Sequence, residues 1–160
     1  MSPADFEFLV SKATKAPSGH NTQPWRFRQN GSVVEIPPDF DRRLPVVDPD
    51  DRELFVSLGC AAENLCLAAQ NIGYESSVGD TGIIAVALTE GVDIKSNPLF
   101  EQIDLRQTNR SIYTGEEIAL DVLKKLQSIR SEKGISVHYY VRQTKQFNDI
   151  EQYVLQGNTR

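Results

Sequence analysis

The sequence predicts a helix-covered sheet of the α+β or α/β class, and three observations carry that expectation. Helix-period and strand-like apolar runs interleave along the chain. One long amphipathic stretch begins at Asp48 and ends at Gly73. Asn30-Gly31, between two β-prone runs, is a strong short-range hairpin signal. At 160 residues the chain has the size of one domain, or of one domain-sized half of something larger.

Phe6, Leu9, Val10 and Ala13 keep helical spacing and predict a first helix over 4–15, closed before Pro17. Trp25–Gln29 and Ser32–Ile36 predict two short strands about the Asn-Gly turn, and Trp25 reads as a core anchor. Three prolines and several charges make 37–48 a loop. Asp48-Pro49 then supplies an N-cap and a proline at the first helical position, with Asp50 and Asp51 complementing the helix dipole. Leu54, Leu58, Ala61, Ala62, Leu65, Ala69 and Ile72 form one stripe, and Gly73 ends it. This predicts a central helix of about 24 residues, roughly 35 Å long. Gly59, Ala61 and Ala62 are small enough to admit a neighbouring element, which makes Gly59 a packing residue.

Tyr74–Val78 and Ile83–Thr89 predict strands, the second an inner one because its apolar run is nearly continuous. Asn97–Leu105 predicts a short helix. Thr114-Gly115-Glu116-Glu117 reads as a capping box opening a helix that turns Val122, Leu126 and Ile129 inward and ends near Gly134. Ile135, Val137, Tyr139 and Val141 alternate as a strand, with His138 on its face, and Phe147, Ile150 and Val154 mark a last helix stopping at Gly157. Only Asn158, Thr159 and Arg160 follow, which suits a finished sheet or one that is cut off.

A net charge of −5 argues against non-specific binding to nucleic acid. No apolar run reaches membrane-spanning length, and Met1-Ser2-Pro3-Ala4-Asp5 lacks the basic start and apolar stretch of a signal peptide. Cys60 and Cys66 lie six positions apart in a helical pattern, on different faces and about 9 Å apart along the axis, so they do not bridge. Free thiols imply a reduced compartment, and the expected location is cytoplasmic.

Two segments carry candidate chemistry. Ala16-Pro17-Ser18-Gly19-His20-Asn21-Thr22-Gln23-Pro24-Trp25 is rich in turn formers and short polar residues. It reads as an ordered loop that presents hydroxyls, amides and bare backbone, suited to a flat, polar-edged ligand. Arg106-Gln107-Thr108-Asn109-Arg110 is the dense basic-polar cluster, and its guanidiniums share one face if the segment is helical. Arginine forks and a hydroxyl suit phosphate oxygens. A solvated turn with the arginines paired to Asp104 or Glu101 accounts for the same residues.

Taken together, the two segments resemble motifs of the FMN-dependent nitroreductase family. That family opens with an Arg-Arg-Ser-x-Arg motif and later carries an Ala-Pro-Ser-x-x-Asn-x-Gln-Pro-Trp loop that covers the flavin from the other protomer of a dimer. Arg106–Arg110 is similar to the first motif with Thr in place of Ser, Pro17–Trp25 to the second, and the 53–73 helix, with Ser57-Leu58-Gly59 and Asn64-Leu65, to the family's central dimerisation helix. The motif order is inverted here, as in the branch where two such halves are fused in one chain, known from dormancy-associated nitroreductase-like proteins.

The resemblance implies an α+β, three-layer α/β/α fold with a mixed, mostly antiparallel sheet around a long central helix. It implies a first half over 1–95 and the start of a second, incomplete half over 96–160, the chain being the N-terminal half of a fused enzyme. It implies FMN as cofactor, with Arg106, Gln107 and Thr108 at the phosphate and pyrimidine side, Arg110 at the ring edge, and Pro17, Ser18, Gly19 and Asn21 covering the ring. The implied reaction passes electrons from NADH or NADPH through the flavin to a nitroaromatic or quinone-like small molecule. No side chain acts as a nucleophile, and no nucleic acid, membrane or metal takes part. It also implies a homodimer formed through the apolar surface of residues 54–72.

Other classes explain less. Ser18 and His20 lack an acidic third member for a hydrolase, and His20 and His138 lie too far apart in sequence to suggest a metal pair. A flavin-sequestering protein without catalysis, or an interaction domain that dimerises without flavin, remains compatible with the same residues. Glu63, inside the apolar helix, is either a buried polar partner or a solvent-facing residue.

Overall fold

The computed structural model describes residues 1–80, 82–92, 94–95, 97–129 and 134–158. The chain divides into two compact units, Met1–Asn109 and Arg110–Arg160.

The first unit begins with α1 (Pro3–Ala13). Ser2 and Asp5 form a reciprocal cap in which the Asp5 amide donates to Ser2 Oγ at 3.1 Å and the Ser2 amide donates to Asp5 Oδ2 at 3.2 Å. Pro3 starts the helix at a position whose amide has no helical acceptor. The Tyr74 hydroxyl donates to the same Asp5 carboxylate at 3.0 Å, tying α1 to the start of β3 (Tyr74–Asp80).

β1 (Arg28–Asn30) and β2 (Val33–Ile36) form the expected hairpin, with Gly31 at φ 60°, a conformation glycine adopts without a Cβ penalty. β4 (Ile84–Glu90) lies between β2 and β3, so the sheet order is β1-β2-β4-β3 and every pair is antiparallel. The near-continuous apolar run is thus an inner strand, as predicted. Val34 pairs with Val86 and Ile36 with Ile84, which puts these side chains on one face. A one-residue slip would turn them all away from the helices.

α2 (Arg52–Asn71) packs on β3 and β4, and α1 packs along α2. The predicted stripe is buried from Leu54 to Ala69, and Leu9, Val34, Ile36, Leu58, Leu65 and Val86 are fully enclosed. Gly73, at φ 89°, ends the helix. Trp25 is buried and bridges to Pro38, which confirms it as a core anchor. The α+β class holds. α1 and α2 cover one sheet face, while on the other Val33, Ala85 and Ala87 are half-buried and Glu75 and Ser77 exposed. Glu63 faces solvent. Gly59 is exposed too, and no atom of another element lies within 4 Å of where its Cβ would be, so its small size serves no packing in this unit. Cys60 and Cys66 are free, and burial pushes the Cys66 thiol up.

The helix expected over 97–105 shortens to α3 (Gln102–Leu105), because Asn97 Oδ1 accepts the Leu99 amide at 3.0 Å and holds a turn ahead of it. Ile103 of α3 is buried.

The second unit contains α4 (Leu120–Gln127) and α5 (Lys145–Asn158). The capping box does not form. The Glu116 amide reaches Thr114 Oγ1 at 3.4 Å, but Gly115 at φ 85° turns the chain away, and α4 opens at Leu120 without a side-chain cap. Its expected continuation through 130–133 lies outside the described residues. The alternating segment 135–141 is no strand, because no described segment pairs with it and an unpaired strand has no ladder to stabilise it. Ile135, Val137 and Val141 remain exposed, and His138 sits on no sheet, with Nε2 3.1 Å from Ser136 Oγ. Tyr139 donates its hydroxyl to the Leu126 carbonyl at 2.8 Å. No described helix is long and apolar enough to cross a membrane.

Leu58→Ala should lower the unfolding free energy by about 2–5 kcal/mol in urea titration, because it opens a cavity under the sheet. Hydrogen bonds from Ser2 and Tyr74 hold the Asp5 carboxyl below the ordinary aspartate value of 3.8. Its stabilising contribution is therefore complete above pH 3.8 and is lost as pH falls through the lower, folded-state value. The melting-temperature gap between the unsubstituted protein and Asp5→Asn should accordingly narrow on acidification below that point.

Candidate functional site

The loop from Ala16 to Trp25 is a wound turn. His20, Asn21 and Gln23 have φ of 48°, 58° and 51°. Asparagine and, less often, histidine adopt this left-handed region, whereas glutamine enters it only where surrounding bonds hold it. Those bonds are present. The Asn21 amide donates to the Ser18 carbonyl at 3.0 Å, and the Thr22 amide and hydroxyl both donate to the Gly19 carbonyl at 3.0 Å. Ser18 Oγ accepts the Gln23 amide at 3.0 Å, leaving its own hydroxyl proton to donate.

Two residues outside the loop hold it. Ser57 Oγ accepts the Gly19 amide at 3.2 Å while donating to the Glu53 carbonyl at 2.7 Å. Arg42 donates from Nη1 to the Thr22 carbonyl at 3.1 Å. A Cβ on Gly19 would lie 3.1 Å from Glu53 Oε2, a tight approach to the end of an exposed side chain beside α2.

The start of α2 is organised beside this loop. Asp48 is buried, and its carboxylate accepts the Glu53 and Leu54 amides at 3.0 and 2.9 Å. Asp48 thus satisfies first-turn amides, but it is not the N-cap expected of it: Asp51, at φ 55°, holds that position, Pro49 lies in the turn before the helix, and α2 begins at Arg52 and runs 20 residues where about 24 were expected. Arg43 grips Asp51 with two hydrogen bonds of 3.1 and 2.7 Å. Gly19, Thr22, Arg42, Asp48, Leu54 and Ser57 line a cavity of about 10 Å³, room for a single water.

The arginine segment departs from helical geometry. α3 ends at Leu105, Arg106 is extended, and 107–110 are irregular, so Arg106 and Arg110 share no helix face. The Arg106 guanidinium donates to the Lys15 carbonyl at 3.2 Å and lies 3.5 Å from Thr108 Oγ1. Asp104 pairs with Lys12, whose hydrogen bond holds its carboxyl below the usual range, so it is not the arginines' partner. The Lys12 ammonium also sits 5.9 and 5.4 Å from the ring centres of Phe8 and Phe100. Among the described residues, Arg106 thus keeps guanidinium donors that no carboxylate occupies.

Pro17, Asn21, Arg106, Gln107, Thr108 and Arg110 are exposed, and Ser18 and Gly19 half-buried. Arg106, Gln107 and Thr108 stand in the first unit, where the bond to Lys15 brings Arg106 to the base of the loop, two residues ahead of Pro17. Arg110 opens the second unit and makes no ion pair among the described residues. Sequence reasoning overlooked Ser57 and Arg42. Ser57 carried a readable signal, a polar side chain on the buried face of the apolar stripe.

A guanidinium with donors to spare and a nearby hydroxyl are the chemistry that the phosphate end of a flavin nucleotide requires. For the ring, the loop offers one edge, and the cavity beside it is too small to take an isoalloxazine.

An α+β domain with a wound polar loop tied to a basic cluster is the class that fold and site define. Over 70 residues the chain is 39% identical to provisionally named NAD(P)H nitroreductases from two strains of Mycobacterium tuberculosis. The match takes in 44% of this chain and only 20% of each relative, so the chain spans about a fifth of the length of the curated relatives it matches. No protein-family model matches the chain. Among solved structures, a provisionally assigned nitroreductase from Exiguobacterium sibiricum in complex with FMN aligns at 16% identity and a TM-score of 0.45, covering 68% of this chain and 88% of that one. A nitroreductase-like protein from Streptococcus mutans aligns at 15% identity and a TM-score of 0.45, covering 74% and 88%.

Asp48→Ala removes both acceptors from the first turn of α2 and should cost about 1–2 kcal/mol of unfolding free energy, read from the urea midpoint.

Proposed function

We propose that the chain is part of an FMN-dependent oxidoreductase of nitroreductase type. The observation that carries this reading is the hydrogen bond from Arg106 to the Lys15 carbonyl, which joins the basic cluster to the polar loop within one compact unit. The 70-residue similarity to provisionally named NAD(P)H nitroreductases supports it.

FMN, when bound, supplies two-electron chemistry, accepting hydride from NADH or NADPH and passing electrons to a nitroaromatic or quinone-like acceptor. The chain's own residues bind and orient. Arg106 and Thr108 donate to the phosphate, and Gln107 adds an amide beside them. Ser18 donates its free hydroxyl proton, and Pro17, Gly19 and Asn21 cover the ring edge. A positive charge at the pyrimidine side, the role the family resemblance gives Arg110, would stabilise the reduced, anionic form. The first unit furnishes one wall of the ring site, so the other comes from further surface. Two copies paired along α2, whose exposed residues include Phe55 and Val56, would supply it.

The test is titration of the purified protein with FMN, followed by anaerobic addition of NADPH. Stoichiometric binding and bleaching of the yellow colour are expected. Arg106→Ala should weaken binding about tenfold to hundredfold, the scale of losing charge-assisted hydrogen bonds. Unchanged affinity in that variant overturns the phosphate role. Colour that persists under NADPH points instead to a flavin store.

A further inference from the structure

We propose that Ser57 and Arg42 are positioning residues that set the conformation of the flavin-facing loop from the central helix and its approach segment. The inference deepens the reading above, which gives the loop its ligand, and it stands on different bonds.

Three of the four residues from His20 to Gln23 have positive φ: His20, Asn21 and Gln23. A non-glycine residue there costs of order 1–3 kcal/mol unless its surroundings hold it. Bonds inside the loop, from Asn21 and Thr22 back to Ser18 and Gly19, define the turn's shape but fix it to nothing else. Where the loop ends, the Asp39 amide donates to the Pro24 carbonyl at 2.9 Å, and side chains from outside anchor the turn itself at two points. Ser57 accepts the Gly19 amide at 3.2 Å, and Arg42 donates to the Thr22 carbonyl at 3.1 Å, so the turn is gripped on both sides of His20 and Asn21, while the Gln23 amide bonds Ser18 Oγ.

Ser57 is well placed for this. It is only 3% exposed, and its own proton goes to the Glu53 carbonyl, which directs its lone pairs towards Gly19. Removing the hydroxyl leaves the Gly19 amide without that acceptor beside a space of about one water. Arg42 is exposed and lies 3.6 Å from Asp39, so its side chain is braced from the strand side. Neither residue belongs to the set that would touch the flavin, so each acts through the loop.

The experiment compares Ser57→Ala, Ser57→Thr and Arg42→Ala with the unsubstituted protein. Amide hydrogen exchange of Gly19, Asn21 and Thr22 is read by nuclear magnetic resonance, and FMN affinity by fluorescence quenching. In Ser57→Ala the Gly19 amide should exchange about fivefold faster or more, and FMN should bind about fivefold more weakly, the scale of one hydrogen bond. Ser57→Thr, which keeps the hydroxyl, should restore both. Arg42→Ala, at an exposed position, should speed exchange at Asn21 and Thr22 while leaving amides in the middle of α2 unchanged, and it keeps the test open if Ser57→Ala does not fold.

Unaltered loop exchange in either variant overturns the proposal, as does faster exchange with unchanged FMN affinity. Failure of the unsubstituted protein to bind FMN overturns the flavin reading instead, and the exchange ratios then decide alone whether Ser57 and Arg42 set the loop.

Discussion

Burial of one face of α2 is the constraint on which the first unit depends. Leu54, Leu58, Ala61, Leu65 and Ala68 form a dry stripe against β3, β4 and α1, and each enclosed leucine contributes about 1.5–3 kcal/mol relative to exposure. Ser57 sits on that same face, one position before Leu58. Packing of the stripe therefore fixes where its hydroxyl stands, and the hydroxyl fixes Gly19. The apolar pattern that builds the core and the polar pattern that shapes the loop are carried by consecutive residues of one helix.

Charge in this region is sorted with little cancellation at the loop. Asp39 faces Arg26, Asp51 faces Arg43, and Asp104 faces Lys12. These three carboxylates have cations, Asp48 has backbone amides, and the arginine at the loop's base bonds a carbonyl and a hydroxyl. A guanidinium that already had a carboxylate would meet an incoming phosphate with its charge largely answered, whereas Arg106 retains both charge and donors. Pairs with one exposed partner, such as Arg26–Asp39, add little to stability.

Much of this was legible in the residues. The α2 stripe, the Asn-Gly hairpin, the inner strand β4 and the Trp25 anchor follow from periodicity and turn chemistry, because each is settled by neighbours close in sequence or by simple burial. The loop's identity was legible, but its left-handed backbone at His20 and Gln23 was not, since it is set by bonds within the loop together with those from Ser57 and Arg42, which no local pattern announces. Arg106 meeting Lys15, and Lys12 taking Asp104 from the arginines, are long-range pairings with no local signature. The failures at 114–117 and 135–141 have a shared cause. A capping box and an alternating run are local patterns, and both need a partner to be realised: helix turns directly after the box, and a second strand beside the run.

The contrast between the two units bears on how a flavin site would be completed. In the first, the apolar residues of helix and sheet find each other, and the loop rests on a finished core. In the second, Leu120, Val122 and Leu126 of α4 and Val154 and Leu155 of α5 remain exposed, the condition of elements whose apolar faces lack a layer to cover them. Exposed apolar surface on that scale marks an interaction face. On the proposed reading a ring site needs two walls, of which the loop on its core would form one. The second wall would then be further polypeptide surface, such as that of a second copy. A loop anchored to its own core before that surface arrives can receive it without reorganising, and a preformed edge lowers the entropic cost of closing on a flat ligand.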